Sequence, residues 1–408
     1  MREPVYVIGA GRTDFKRNLS KEGKGLRDVI VEAGRAAIDE AGIEPAQVKS
    51  GVVGNFAAGR FTKQLHLGSY LTYIDESLRG LPTFHAEAAC ASGSVAVMAA
   101  IHQVMGGIYD CVIVVGAEQQ KTMSPADVGD VLASAGDYGH ERPLYGTYTF
   151  PSLFGKLAQI YKETHGLGDK VLPSIAYKNR AHARLNPLAQ MRDVELTQES
   201  ACTVSQANPD IAPPLKLSDC SQITDGAAAV VLCSEKFLKS LSGSSSRRAM
   251  RLLGWGHTTD HLPLHEKDAP MFNVARTSAK RAFDMANVAP RDVQGADIHD
   301  CFSISEVVAY EILGMAEPGQ GKTLAESGAT RLPQIGGPKG KIPVNPGGGL
   351  IGDGHPVGAT GVRQVVEAFT QLTGQGGKRQ IENARRYLTF NMGGSMTTNC
   401  TMIWSSEK

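Results

Sequence analysis

Two hydrophobic periods alternate along the chain from its first residues. Val5-Tyr6-Val7-Ile8 is an apolar run of strand length, closed by Gly9-Ala10-Gly11. Arg27–Ala41 spaces its apolar positions as an amphipathic helix does, and Gly42 supplies a fitting C′ residue. Val48–Val53 returns as a strand. Val95, Val97, Met98 and Ile101 give the helical spacing of Val95–Met105, and Cys111-Val112-Ile113-Val114-Val115 reads as a buried strand. Strands and helices in this alternation predict an α/β fold.

From about Glu118 to Ser221 the pattern changes. Aromatic, proline and polar residues mix without a sheet period, and helices are predicted only at Ser152–His165 and Leu172–Leu185. This stretch reads as a long excursion between two sheet strands, the kind of segment that carries binding function. Asp225 to Leu232 returns to the sheet, and Ser242–Arg248 has the composition of a linker. The predicted units are therefore 1–117, an inserted loop domain 118–221, a return and linker 222–245, and a second half 246–408.

After the linker the pattern begins again, with a strand at Arg251–Trp255 and a helix at Phe272–Ala286. Ala37, Asp39, Ala41, Pro45 and Val48 recur as Ala282, Asp284, Ala286, Pro290 and Val293, at an offset of 284 − 39 = 245. A second echo pairs Cys90-Ala91-Ser92-Gly93 with His355-Pro356-Val357-Gly358, offset 355 − 90 = 265. An internal repeat predicts two related halves that could bring Cys90 and His355 face to face.

Composition removes several function classes. The 408 residues are 42% hydrophobic and 20% charged, with a net charge of +1, so neither a nucleic-acid footprint nor a basic membrane patch is expected. No apolar run reaches the length of a membrane span. The first residues lead straight into a strand without a secretory h-region, and Ser405-Ser406-Glu407-Lys408 is not a Ser-Lys-Leu address. Seven scattered cysteines, with no CxxC pair, fit a reducing compartment rather than a disulfide framework or zinc site. An intracellular soluble protein is expected, in the cytoplasm, a mitochondrion or a peroxisome-like organelle. Gly9 and Gly11 suggest a dinucleotide turn, but Asp14 stands where that fingerprint needs glycine. His257, His261 and His265 have a metal-face spacing, but Pro263 interrupts any helix through them, so a solvated loop is expected. Met392, Met396 and Met402 are read as strand packing.

Chemistry gathers in four places. Cys90 stands where a strand ends and a small-residue helix begins, so its thiol meets unpaired amides that favour a thiolate and an oxyanion. The other reading of Cys90 is a buried structural cysteine. Ile298-His299-Asp300-Cys301-Phe302 follows an apparent strand; His299 alone could be a paired core histidine and Cys301 an inert thiol. Pro346 to Pro356 is a glycine-rich loop ending on His355, a place where packing rarely needs a histidine. Phe390-Asn391-Met392-Gly393-Gly394-Ser395 is the fourth.

Taken in order, these motifs resemble the thiolase family over essentially the whole chain, and within it the sterol-carrier-protein type. His299-Asp300-Cys301-Phe302 stands where most thiolases have Asn-Glu-Ala-Phe, and Asn391-Met392-Gly393 where most have Cys-x-Gly. The second cysteine has thus moved to the HDCF loop. The resemblance implies two pseudo-equivalent βαβαβαββ halves in a five-layer αβαβα arrangement with an inserted loop domain, and a homodimer. It implies 3-ketoacyl-CoA thiolysis or its reverse, with CoA and acyl-CoA as substrates and neither cofactor nor metal. It implies Cys90 as nucleophile, His355 as its base in an imidazolium–thiolate pair, and the amides of Cys90 and Gly393 as the oxyanion hole. His299 and His355 would hold the enolate oxygen, and Cys301 would be the acid/base. No carrier domain follows the thiolase portion, so lipid delivery would need a separate partner. A decarboxylating ketoacyl synthase, which uses a Cys–His–His set, and an acyl-CoA binder without turnover are the rival readings.

Overall fold

The structure, a computed structural model, describes residues 3–241, 248–339 and 341–406. The expected linker at Ser242–Arg248 lies outside the described residues except for Arg248. The strands are β1 (Val5–Arg12), β2 (Ser50–Gly54), β3 (Thr83–Ala86), β4 (Cys111–Glu118), a small hairpin β5 (Asp210–Ala212) and β6 (Leu215–Lys216), β7 (Gly226–Ser234), β8 (Met250–Thr259), β9 (Gly295–Ile298), β10 (Arg386–Gly393) and β11 (Thr398–Ser405). The helices that matter for the site are α1 (Leu26–Ala41), α2 (Ser92–Met105), α3 (Pro125–Ala133), α4 (Thr149–His165), α5 (Val171–Ala183), α6 (Asn273–Ala286), α7 (Ser303–Ile312) and α8 (Thr360–Leu372).

Nine strands pair in the order β3-β2-β4-β7-β1-β8-β11-β10-β9. This ladder is two half-sheets joined edge to edge by only two residue pairs, Tyr6 with Arg251 and Val7 with Met250. The layers follow from what each half-sheet must cover. α1 buries Val29, Ile30, Ala33, Ala37 and Ile38 on the outer face of the first half. α2 and α8 pack together between the halves, through Val97, Ile101, Val365 and Phe369, against Val114 and Val230 on one side and Met402 and Trp404 on the other. α6 and α7 close the outer face of the second half. The five layers expected from the resemblance are present. Among the described residues no helix is long and apolar enough to cross a membrane.

The repeat at offset 245 is structural. α1 and α6 both end on a left-handed residue, Gly42 at φ 62° and Asn287 at φ 52°. Pro45 and Pro290 each open a 3-10 turn that leads to the next strand. Gly9 and Gly11 recur as Gly254 and Gly256, and these glycines explain themselves by packing. A Cβ at Gly9 would meet the Ala37 carbonyl at 2.2 Å, and one at Gly254 the Ala282 carbonyl at 2.2 Å. They let the outer helices lie on the strands, and that packing accounts for them.

Two expectations need correction. Among the described residues the second half shows no third outer strand: its counterpart is one bridge, Ala296 with Val344. Pro343 and Pro346 remove ladder donors on either side of Val344, which stops a strand there. The second echo is also out of register. The helix starts correspond at an offset of 268, from 360 − 92 and 357 − 89, so Cys90 sits inside its opening turn while His355 precedes its own.

The excursion runs from the end of β4 at Glu118 to the start of β7 at Gly226. α4 and α5 fall close to where the periodicity placed them. α5 is a polar buttress rather than a binding surface. Asn179 donates to Asp300 and Glu306 at 2.7 Å each, Lys178 pairs with Glu306, and His182 Nδ1 meets the Asn345 carbonyl at 2.9 Å.

Candidate active site

Cys90 lies in the 3-10 turn Ala89–Ala91 that runs into α2. Ser92 ties that turn, accepting from the Ala88 amide at 2.9 Å and donating to the Ala89 carbonyl at 2.6 Å. Ala89 takes a φ of 52°, a left-handed conformation that an alanine holds only under constraint from its surroundings. The amides of Gly394 and of Cys90 itself point at the Cys90 sulfur. The sequence reading named the Gly393 amide for the oxyanion rather than for the sulfur, and Gly393 directly precedes Gly394 at the end of β10. Gly393 also has a packing task, since a Cβ there would lie 2.2 Å from the Ala88 carbonyl.

His355 ends a loop held at both sides. Arg12 grips Asp353 with bonds of 2.6 and 2.8 Å, and the His355 amide donates to Thr224 Oγ1 at 2.9 Å. Its Nδ1 meets Thr360 Oγ1 at 2.7 Å. Glu118, at the end of β4, accepts from the amides of Phe56, Ala57 and Gly358 and from Asn55 Nδ2, and so joins the two halves beside the site. His299 follows β9, with Nδ1 2.8 Å from Asn391 Nδ2. Asp300 turns away and accepts from the amides of Leu350 and Ile351, fixing the HDCF loop to the His355 loop. Cys301 keeps its Sγ 3.8 Å from Ser305 Oγ.

These four segments converge. The ring centroids of His299 and His355 are 5.2 Å apart with planes at 90°. One side-chain atom each of Cys90, His299 and His355 lies within 4.8 Å of the others. Cys90, Cys301, His355 and Gly394 border one cavity of about 240 Å³. Its walls are apolar, with Val128 and Leu132 from α3, Phe150 from α4, and Phe302. A helix of the loop domain therefore does meet the pocket, on the side away from the α5 buttress.

Burial dominates the electrostatics. It pushes the Cys90 thiol up to about 12 against the two amides that favour its thiolate, and it pulls His355 down to about 3. Burial also holds His299 well below the usual imidazole range and Cys301 well above the usual thiol range. Desolvation drives the Glu118 carboxyl up to about 7 against its donors. Both shifts favour the uncharged thiol and imidazole over an imidazolium–thiolate pair. The amides at a helix start cannot outweigh removal of water from around the sulfur.

Among the described residues Cys90, His299 and His355 form the one cluster with metal-ligand atom types in reach of each other. The spaced histidines do not join: His257 lies in β8 rather than a loop, His261 is exposed, and His265 is in a 3-10 turn. Met392, Met396 and Met402 are buried core. Sequence reasoning missed Glu118, Thr224, Thr360 and the α5 polar face. Glu118 left a signal, a carboxylate ending a fully apolar strand.

The two halves match two family profiles, "Thiolase, N-terminal domain" over residues 5–236 and "Thiolase C-terminal domain-like" over residues 256–406. The chain is 36% identical over 402 residues to an "Acetyl-CoA acetyltransferase" of Methanothermobacter thermautotrophicus, covering 98% of this chain and 99% of that one. It is 30% identical to "Sterol carrier protein 2" of Homo sapiens over 95% of this chain and 70% of that protein. Among solved structures, the "Ltp2-ChsH2(DUF35) aldolase" superposes with a TM-score of 0.81 at 21% identity, covering 99% of this chain and 98% of that one, a likeness of fold. Matched through both halves, the chain belongs to the thiolase family of acyltransferases.

Proposed function

We propose that the chain cleaves 3-ketoacyl-CoA with CoA, or runs the reverse condensation, through an acyl group carried on Cys90. The observation that carries this is one cavity bordered by the Cys90 and Cys301 thiols, from opposite halves, with an imidazole beside the first and amides aimed at its sulfur.

His355 takes the Cys90 proton as the sulfur attacks the 3-keto carbon. A neutral, desolvated base suits that step, because the charge pair forms only as the new bond does. The resulting oxyanion receives the amides of Cys90 and Gly393, as the family resemblance implies. The bond between C2 and C3 then breaks, leaving the acyl group on Cys90 and the electron pair on the acetyl-CoA enolate. His299 and His355 donate to the enolate oxygen, and the Cys301 thiol gives its proton to C2. Incoming CoA returns a proton to Cys301 and attacks the acyl-sulfur bond. Cys90 leaves and recovers its proton from His355.

The apolar walls supplied by α3 and α4 favour an acyl chain longer than acetyl. Each methylene buried there is worth about 0.8 kcal/mol, or about fourfold in kcat/KM, until the cavity is full. The active assembly is read as a homodimer.

The test is thiolysis of a series of 3-ketoacyl-CoA chain lengths, read as loss of the Mg²⁺-enolate absorbance. CoA-dependent turnover that rises with chain length supports the reading. The close Cys–His–His cluster favours a second reading, decarboxylative condensation; CO₂ release from malonyl thioester without any thiolysis would establish that one instead.

A further inference from the structure

The two histidines are held by uncharged side chains of opposite character. Thr360 Oγ1 lies 2.7 Å from His355 Nδ1 and 3.3 Å from the Pro356 carbonyl, and when its hydroxyl donates to that carbonyl it accepts from Nδ1. In that arrangement His355 carries its proton on Nδ1 and has the bare Nε2 that the proposed base needs. His299 Nδ1 instead faces an amide nitrogen, Asn391 Nδ2, at 2.8 Å. An NH₂ group can only donate, so Nδ1 accepts and the ring proton sits on Nε2. Asn391 Oδ1 points the other way, buried without a hydrogen-bond partner of its own, toward Gly361, where a Cβ would come within 2.7 Å of it. Asn391 is buried on β10, and His299 is buried beside it. His299 Nε2 is buried with no hydrogen-bond partner in the protein. A buried donor left unpaired is destabilising, a cost that a ligand oxygen would remove.

We infer that Asn391 is a positioning residue that locks His299 in the Nε2–H form, so that this histidine offers a donor to the Cys90–His355 cluster while His355 accepts. The position that holds a cysteine in most thiolases is then occupied by a tautomer clamp. The same proton makes His299 a donor and denies a soft metal ion the third lone pair of the Cys90, His299 and His355 cluster. The kinetic consequence rests on the proposed thiolase chemistry, whereas the protonation pattern does not.

The direct experiment is ¹⁵N–¹H two-bond correlation NMR on histidine-labelled protein, with His299 assigned by the signals lost in His299→Gln. In the unsubstituted protein the clamp requires a protonated Nε2 and a bare Nδ1. In Asn391→Asp the carboxylate, which only accepts, should move a proton onto Nδ1. Asn391→Leu should lower kcat about 10²-fold, the usual cost of one lost oxyanion donor, with KM little changed. Alkylation of Cys90 by iodoacetamide should stay at the unsubstituted rate in that variant. Nδ1–H on His299 in the unsubstituted protein would overturn the inference whatever the enzyme's activity. Absence of thiolysis with the Nε2–H pattern intact would overturn the reaction and leave the clamp standing.

Discussion

Substitution of Gly393 by alanine tests the site where geometry is tightest. The added Cβ would sit 2.2 Å from the Ala88 carbonyl, 3.1 Å from the Ala91 nitrogen and 3.2 Å from the Ala91 Cβ, where ordinary contact begins at 3.4 Å. Relief of the worst of these needs 3.4 − 2.2 = 1.2 Å. The atoms in the way belong to the backbone of the turn that carries Cys90, so no flexible side chain can absorb the movement. The sulfur must shift relative to the Gly394 amide on the opposing strand end. Misplacement of reacting groups by about 1 Å costs about 10²-fold in rate, and overpacking costs about 1–3 kcal/mol of stability. The assay is kcat for thiolysis alongside thermal unfolding, with Gly25→Ala as control, since nothing lies closer than 3.9 Å to a Cβ there. The variant keeps the residue 393 amide, so its loss of rate reports packing alone. A folded Gly393→Ala enzyme with kcat within about threefold of the parent would refute the reasoning.

Further outcomes follow from the same geometry. With its thiol near 12, Cys90 should react with iodoacetamide about tenfold faster per pH unit between about pH 6 and about pH 9, followed on the Cys90 peptide by mass spectrometry; a plateau below about pH 8 would mean a preformed ion pair. Thr360→Val removes the 2.7 Å bond that orients His355, which should cost about 1–2 kcal/mol and lower kcat/KM about 5- to 30-fold. Cys301→Ala should lower thiolysis of acetoacetyl-CoA about 10²–10⁴-fold while Cys90 still alkylates at the parent rate; normal turnover would remove Cys301 from the proposed mechanism.

The halves were legible because their signals are local. The apolar period of α1 and α6, their left-handed end caps and the prolines behind them recur at one offset, and each states its own structure. The four reactive segments were also visible, since cysteine and histidine in glycine-rich turns are poor packing choices. What the sequence hid depends on distance through space. No window of the chain shows that Glu118 draws amides from Asn55's turn and from Gly358, or that Arg12 grips Asp353. The raised Cys90 thiol and lowered His355 imidazole were hidden because a helix start is written in the sequence while the depth of burial is not. That the Gly394 amide faces the sulfur was hidden for the same reason, since it depends on how β10 ends against the Cys90 turn. The lost strand beside Val344 needed its prolines weighed against the repeat.

The most direct measurement is to incubate the protein with acetoacetyl-CoA in the absence of free CoA and follow both products. The account predicts one equivalent of acetyl-CoA released per active site and one acetyl group retained on the Cys90 peptide, discharged when CoA is added. Turnover with Cys90 unmodified, or an acetyl group found on Cys301 in its place, would contradict it.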